Sequence, residues 1–276
     1  MKPETRNFWN SPPLPRKALG QHFLIDPNII KKIIHLADLH PDESVMEIGP
    51  GRGILTAALC QKVTKVWAIE TDRRMVDYLT HALAHSSNLE VIHGDALKFP
   101  YATLPPGTVI VANLPYNIST PLLFQFLDAR AHIRRMVLTL QLEVARRLVA
   151  PVGTRDYGVL SVLLQYIADV RLAFQVPNSC FRPSPKVDSA VVRIDVRRSE
   201  AIADAEAKLF GQIVRAAFSH RRKILSNSMR DSGFPPHEIQ LAFSQANIDA
   251  KRRAETLTVK EFTTLTHAML KVRGSC

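Results

Sequence analysis

A chain of 276 residues, 46% hydrophobic and 22% charged, reads as soluble and globular, with length for one large core and a smaller domain. The excess of 36 Lys+Arg over 25 Asp+Glu, a formal charge of +11, favours a polyanionic partner, because each neutralised phosphate releases counterions. Cys60, Cys180 and Cys276 are an odd, scattered set, and the ten His show no paired ligand spacing, which argues against a disulfide framework or a zinc site. No signal-peptide core or membrane-length apolar run is present, so cytoplasm without membrane association is expected.

Residues 1–17, with Pro3, Pro12, Pro13 and Pro15 among basic residues, are expected to form a flexible arm. Asp26 then caps a helix through Leu39, with Ile29, Ile30, Ile33, Ile34 and Ala37 at helical spacing. Short β-like runs alternate with helical stretches from there. Strands are expected at Ser44–Ile48, Val66–Glu70, Leu89–His93, Val109–Ala112 and Met136–Leu140; helices near Ile54–Val63, Arg73–Ala84 and Pro121–Ala131 lie between them. Such repetition implies a parallel sheet with helices on both faces. A helix at Tyr157–Ala168 precedes strands Val170–Val176 and Ala190–Val196, joined by a loop with no crossover helix, so this pair is expected to be antiparallel. The pattern turns helical throughout from Ala203, broken near Gly233-Phe234-Pro235-Pro236. The domains expected are therefore 18–200, an α/β catalytic domain, and 201–276, a small all-helical one.

Three strand ends carry chemistry. After the first sheet strand comes Gly49-Pro50-Gly51-Arg52-Gly53, where glycine permits close ligand approach; the spacing is more compact than a dinucleotide fingerprint. Glu70 ends the next strand, 21 residues after Gly49, at the height of a ribose edge in a doubly wound sheet. Asp95 follows the third, where a carboxylate can accept from an adenine amine; either acid alone is equally readable as a helix cap. The fourth strand ends in Asn113-Leu114-Pro115-Tyr116-Asn117-Ile118-Ser119-Thr120. There an Asn side-chain oxygen and a neighbouring carbonyl can accept both protons of a planar amine while Tyr116 stacks on its ring, an Asx turn with a Pro-Tyr corner being the plain alternative.

Glycine turn, ribose acid and base acid together resemble the S-adenosylmethionine-dependent methyltransferases, implying a Rossmann-like seven-stranded sheet with an antiparallel last strand. Longer segments narrow the resemblance. Gly20-Gln21-His22-Phe23-Leu24-Ile25-Asp26, the full Glu47–Gly53 turn, the 113–120 loop, Phe181-Arg182-Pro183-Ser184-Pro185-Lys186-Val187-Asp188-Ser189, Phe218-Ser219-His220-Arg221-Arg222-Lys223 and Arg253-Ala254-Glu255-Thr256-Leu257 are similar to the small-subunit (16S) rRNA adenine dimethyltransferase family. That resemblance implies transfer of two methyls to each of two adjacent adenosines in the hairpin loop near the 3′ end of 16S rRNA, within the small subunit or its precursor. S-adenosyl-L-methionine is the implied methyl donor. By the same resemblance His22, Leu24, Gly49, Glu70, Asp95 and Asn113 hold the cofactor; position 22 is commonly Asn in that family and is His here.

A sulfonium methyl is already activated by charge, so no metal and no titrating base are expected, and positioning dominates. Asn113 and the Leu114 carbonyl are assigned to the amine and Tyr116 to the adenine face. Phe181 is a candidate for the other face, with a core anchor for its loop as the alternative. Arg130, Arg134, Arg135, Arg146 and Arg147 form one basic group; Arg215, Arg221, Arg222, Lys223 and Arg230, followed by Lys251, Arg252 and Arg253, form another. Together they suggest phosphate tracking by a monomer, although each alone suits a solvated helix face. The large-subunit rRNA adenine methyltransferases share the fold and the Asn-x-Pro-Tyr loop, and are disfavoured by the 181–189 and C-terminal segments. A ribosome assembly factor that binds subunits without catalysis is the alternative of a different class.

Overall fold

The computed structural model describes residues 12–16, 19–197, 204–220 and 222–274, so most of the expected arm, Arg221 and Cys276 lie outside the described residues. Strand β1 (Phe23–Leu24) leads into helix α1 (Pro27–Ala37). Asp26 caps α1, its carboxylate accepting from the amides of Asn28 and Ile29, while Pro27 needs no such partner. The chain then runs β2 (Ser44–Ile48), α2 (Ile54–Cys60), β3 (Lys65–Glu70), α3 (Arg73–Ala82), β4 (Leu89–His93), β5 (Thr108–Asn113), α4 (Ser119–Asp128) and β6 (Ile133–Gln141). After α5 (Leu142–Leu148) and α6 (Val159–Ile167) come β7 (Ala168–Val176), β8 (Phe181–Arg182) and β9 (Ser189–Val196). Four helices follow: α7 (Asp204–Phe218), α8 (Leu225–Asp231), α9 (Pro236–Ala246) and α10 (Val259–Gly274).

The seven-stranded sheet has the order β4-β3-β2-β5-β6-β9-β7. Neighbours from β4 to β6 pair in parallel, and β9 runs antiparallel to β6, Thr139 lying opposite Val191. In β5 the residues Thr108 to Ala112 are all buried, as a strand covered on both faces must be. Val109 and Val111 join Val45, Val66 and Val137 in a core that takes Ile29, Ile30 and Ile33 of α1 and Leu55 and Leu59 of α2. Because β2 is flanked by β3 on one side and β5 on the other, the strand order reverses there and opens a crevice at the carboxyl ends of β2 and β5. The separate two-stranded ladder of β1 and β8 pairs Leu24 with Phe181.

Contacts divide the chain into one unit of Met1–Ala145 with Val170–Val196 and a second of Arg146–Asp169 with Arg197–Cys276. The second unit therefore takes a segment that the sequence boundary at 200/201 leaves with the catalytic domain. Its packing explains why: buried Tyr157 donates from its hydroxyl to the Leu257 carbonyl at 3.0 Å, and Tyr166 stacks on Phe210 with centroids 3.7 Å apart. Among the described residues no helix is long and apolar enough to cross a membrane.

Candidate active site

The crevice is walled by four segments. From β2 comes the glycine turn, where Gly49, Gly51 and Gly53 have φ of 65°, 55° and 77°, in the left-handed region that favours glycine. A Cβ on Gly51 would lie 2.6 Å from Phe23 Cδ1, so this backbone packs directly beneath the N-terminal segment. From β3 comes Glu70, buried, with Oε1 accepting from the Asp72 amide at 2.9 Å and Oε2 from the Gly51 amide at 3.3 Å. Burial pushes its carboxyl up, and those amides oppose the shift. The other two walls are Leu19–Leu24 and, at the end of β5, Asn113–Tyr116.

Asn113 is held by its own amide: Nδ2 donates to the His22 carbonyl at 3.0 Å. That contact sets which end of the amide is which, and Oδ1 is buried with no hydrogen-bond partner among the described residues. Leu114 is buried, its amide donating to the Thr139 carbonyl at 3.2 Å, which ties the loop to β6. The Tyr116 hydroxyl is 2.6 Å from Ser189 Oγ, and its ring stacks on the His22 imidazole, centroids 5.5 Å apart and planes 23° apart. Burial also raises the Tyr116 phenol above its ordinary range, so it stays neutral at physiological pH.

The structure brings His22, Leu24, Gly49, Glu70, Asn113, Leu114 and Tyr116 together around the crevice. Asp95 lies just past the end of β4 that pairs with Glu70; it is exposed, outside the crevice lining, and caps the turn after it by accepting from the Leu97 amide at 2.9 Å. Phe181 departs from the adenine-stacking expectation. It is 0% exposed, packed with Leu24, Ile30 and Val176, and so anchors its loop in the core. Arg135 departs as well: in place of an RNA-facing guanidinium it is buried at β6, bound to Glu43 Oε2 at 3.0 Å and to the Asp38 carbonyl at 2.9 Å.

Two residues of the site carry no role of their own in the sequence reading, although Glu47 opens the Glu47–Gly53 turn. Asp72 has a fully buried side chain that accepts from Arg74 at 2.6 Å and from Gln21 Nε2 at 3.4 Å, fastening the N-terminal segment beside Glu70. Glu47 lines the crevice from within the glycine motif, and an acid in the otherwise apolar run of β2 was the signal available for it. Burial pushes the Glu47 carboxyl up to about 8, with the Glu70 charge adding to the shift. Folded protein therefore holds a proton that the unfolded chain releases above the ordinary carboxylate range. The Glu47 contribution to stability is fully present below that range and is lost as pH rises toward 8, with a slope of about 1.4 kcal/mol per pH unit for one proton. Urea unfolding at pH 5.5 and 7.5 checks this: Glu47→Gln is expected to flatten the slope by about one proton.

A doubly wound sheet with antiparallel β9 inserted beside β6, and a glycine turn too compact for a pyrophosphate, is the fold of S-adenosylmethionine-dependent methyltransferases. The donors present suit such a nucleoside cofactor: a glycine cradle that a Cβ would fill, a ribose-height acid, and buried oxygens on Asn113 and Glu47 without partners among the described residues. The family model for ribosomal RNA adenine dimethylases matches residues 14–271, and the chain belongs to that family. It is thereby an S-adenosylmethionine-dependent rRNA adenine dimethyltransferase. A ribosomal RNA small subunit methyltransferase A of Pelotomaculum thermopropionicum is 44% identical over 274 residues, covering 94% of this chain and 93% of the relative. A dimethyladenosine transferase from Plasmodium falciparum superposes with TM-score 0.77 at 29% identity, over 88% of this chain and 96% of that one. The 23S rRNA methyltransferase ErmE superposes with TM-score 0.69 at 27% identity, over 90% and 99%.

Proposed function

We propose that the chain dimethylates N6 of two adjacent adenosines in the hairpin loop near the 3′ end of 16S rRNA, acting as a cytoplasmic monomer on the small subunit or its precursor. The observation that carries the chemistry is Asn113: its Nδ2 is committed to the His22 carbonyl, so Oδ1 is the acceptor left for an amine. The choice of small subunit is supported by the name of the 44% identical relative, because ErmE shares the fold and names the other subunit.

S-adenosylmethionine supplies a methyl already activated by the sulfonium charge, and the residues orient what meets it. Glu70 takes the ribose hydroxyls, Gly49 leaves room for the backbone to approach, and Leu24 and the His22 segment close the wall. Asp95 takes the cofactor's adenine amine with the carboxylate oxygen not used in capping. Asn113 Oδ1 and the Leu114 carbonyl accept from the target amine, freeing the nitrogen lone pair from the ring. Tyr116, pinned by Ser189 and His22, stacks on the base, a contact worth roughly 1–3 kcal/mol. A loop adenosine suits this pocket because unstacking it costs less than opening a helix. Exposed Arg215, Arg222, Lys223, Arg230, Lys251 and Arg253 in the helical unit are the cations offered to rRNA phosphates.

Labelled S-adenosylmethionine, offered with small or large subunits from an undermethylated host, tests the reading. The expected product is dimethyladenosine at two adjacent small-subunit positions near the 3′ end. Label confined to a large-subunit adenine would overturn it.

A further inference from the structure

We propose that Arg52 binds the carboxylate at the amino-acid end of the methyl donor, and so makes the crevice prefer a complete amino-acid tail over a nucleoside that lacks the carboxylate. The proposal rests on the reading of the crevice as an S-adenosylmethionine site. Such a cofactor carries its charge unevenly. Adenine and ribose are neutral, whereas the far end bears a carboxylate and an ammonium beside the sulfonium. Among the described residues that line the crevice the acids are Glu47 and Glu70, and Arg52 is the only Lys or Arg. Neither acid can neutralise an incoming carboxylate, which leaves one cation to do so.

Local structure fixes where that cation starts. Arg52 sits at the corner of the turn between β2 and α2, which the Gly53 amide closes by donating to the Pro50 carbonyl at 2.9 Å. Its neighbours Gly51 and Gly53 are both left-handed, at φ 55° and 77°. The guanidinium rests over the Phe23 ring, Cζ 5.1 Å from the centroid, and Phe23 also lines the crevice. In that position Nε is buried with no hydrogen-bond partner among the described residues. An unpaired buried donor costs free energy, so the side chain gains by meeting an acceptor. A carboxylate offers two coplanar oxygens that match two adjacent N–H groups of the fork, Nε–H and one on Nη. A turn of the guanidinium off the Phe23 face and into the crevice satisfies the orphaned donor and the ligand's charge together, while the stem stays on the ring.

Calorimetry compares wild type, Arg52→Leu, Arg52→Gln and Arg52→Lys against two ligands. One is S-adenosylhomocysteine; the other is its decarboxylated analogue, which keeps the ammonium, the thioether and the nucleoside. Arg52→Leu and Arg52→Gln are expected to bind S-adenosylhomocysteine about tenfold more weakly, with the analogue's affinity held within about twofold. Preference for the carboxylated ligand therefore shrinks by about the same factor. Arg52→Lys keeps the charge and loses the fork, and is expected to retain part of the preference. If Arg52→Leu fails to fold, Arg52→Gln carries the comparison. Equal losses for both ligands overturn the proposal, because they would make Arg52 a packing partner of Phe23. Unchanged S-adenosylhomocysteine affinity overturns it as well; weaker binding of undermethylated small subunits in its place would assign the guanidinium to an rRNA phosphate. A wild type that binds neither ligand overturns the reading of the crevice itself, and the inference with it.

Discussion

Asn113→Ala is expected to lower the single-turnover rate of methyl transfer by about 10²–10³, while S-adenosylhomocysteine affinity falls less than about tenfold. The magnitude follows from what the side chain does in the reaction. An adenine amine is a poor nucleophile because its lone pair is shared with the ring, and an acceptor placed before the reaction begins localises that pair without reorganisation cost. Asn113 Oδ1 is such an acceptor, since Nδ2 is already bound to the His22 carbonyl at 3.0 Å and cannot exchange places with it. Asn113→Asp separates the two halves of this argument. Aspartate keeps an acceptor but sets a carboxylate oxygen against the His22 carbonyl, and that repulsion turns the group away; its rate is expected to fall nearly as far as that of alanine. Rapid-quench measurement with saturating cofactor checks both variants. Either one retaining a rate within tenfold of wild type would remove Asn113 from the reaction.

The features legible in the sequence are those written in local pattern. The β2 and β4 bounds coincide with the expected runs, and α1 starts at its Asp26 cap, because apolar period and capping chemistry are properties of neighbouring residues. Three of the crevice's walls were legible for the same reason: Gly49–Gly53, Glu70 and the 113–116 loop each close a strand. What escaped depends on distant partners. A two-residue strand such as β1 has no period, and only its pairing with β8 shows that Phe181 turns into the core behind Leu24. Arg135 and Arg134 read alike as surface charge, yet both guanidiniums reach Glu43, with Arg134 exposed and Arg135 buried in β6. The segment Arg146–Asp169 joins the C-terminal helices through contacts between residues distant in sequence, such as Tyr157 to Leu257 and Tyr166 to Phe210, which no window of adjacent residues contains.

The close approach of the glycine turn to the N-terminal segment makes a second large effect. Gly51→Ala is expected to weaken S-adenosylhomocysteine binding at least about thirtyfold, equivalent to ~2 kcal/mol, and to cost about 2–3 kcal/mol of stability. Part of this is conformational, because alanine at φ 55° carries about 1–2 kcal/mol of left-handed strain. The remainder is collision: the new methyl would lie 2.6 Å from Cδ1 and 2.7 Å from Cε1 of Phe23. That ring cannot simply swing aside, since Phe23 is 7% exposed, carries the Arg52 guanidinium 5.1 Å from its centroid, and pairs with Arg182 in the β1–β8 ladder. It moves only with its strand, whose neighbours His22 and Leu24 form the facing wall of the crevice. Gly49→Ala shares the backbone strain but would meet Pro115 Cγ at 3.4 Å, so its affinity loss is expected to be several-fold smaller. A double-mutant cycle isolates the collision. In the Gly51→Ala background, Phe23→Leu is expected to recover much of the lost S-adenosylhomocysteine affinity, although alone it weakens binding. Additive losses would mean that the left-handed turn, and not the ring above it, accounts for the effect.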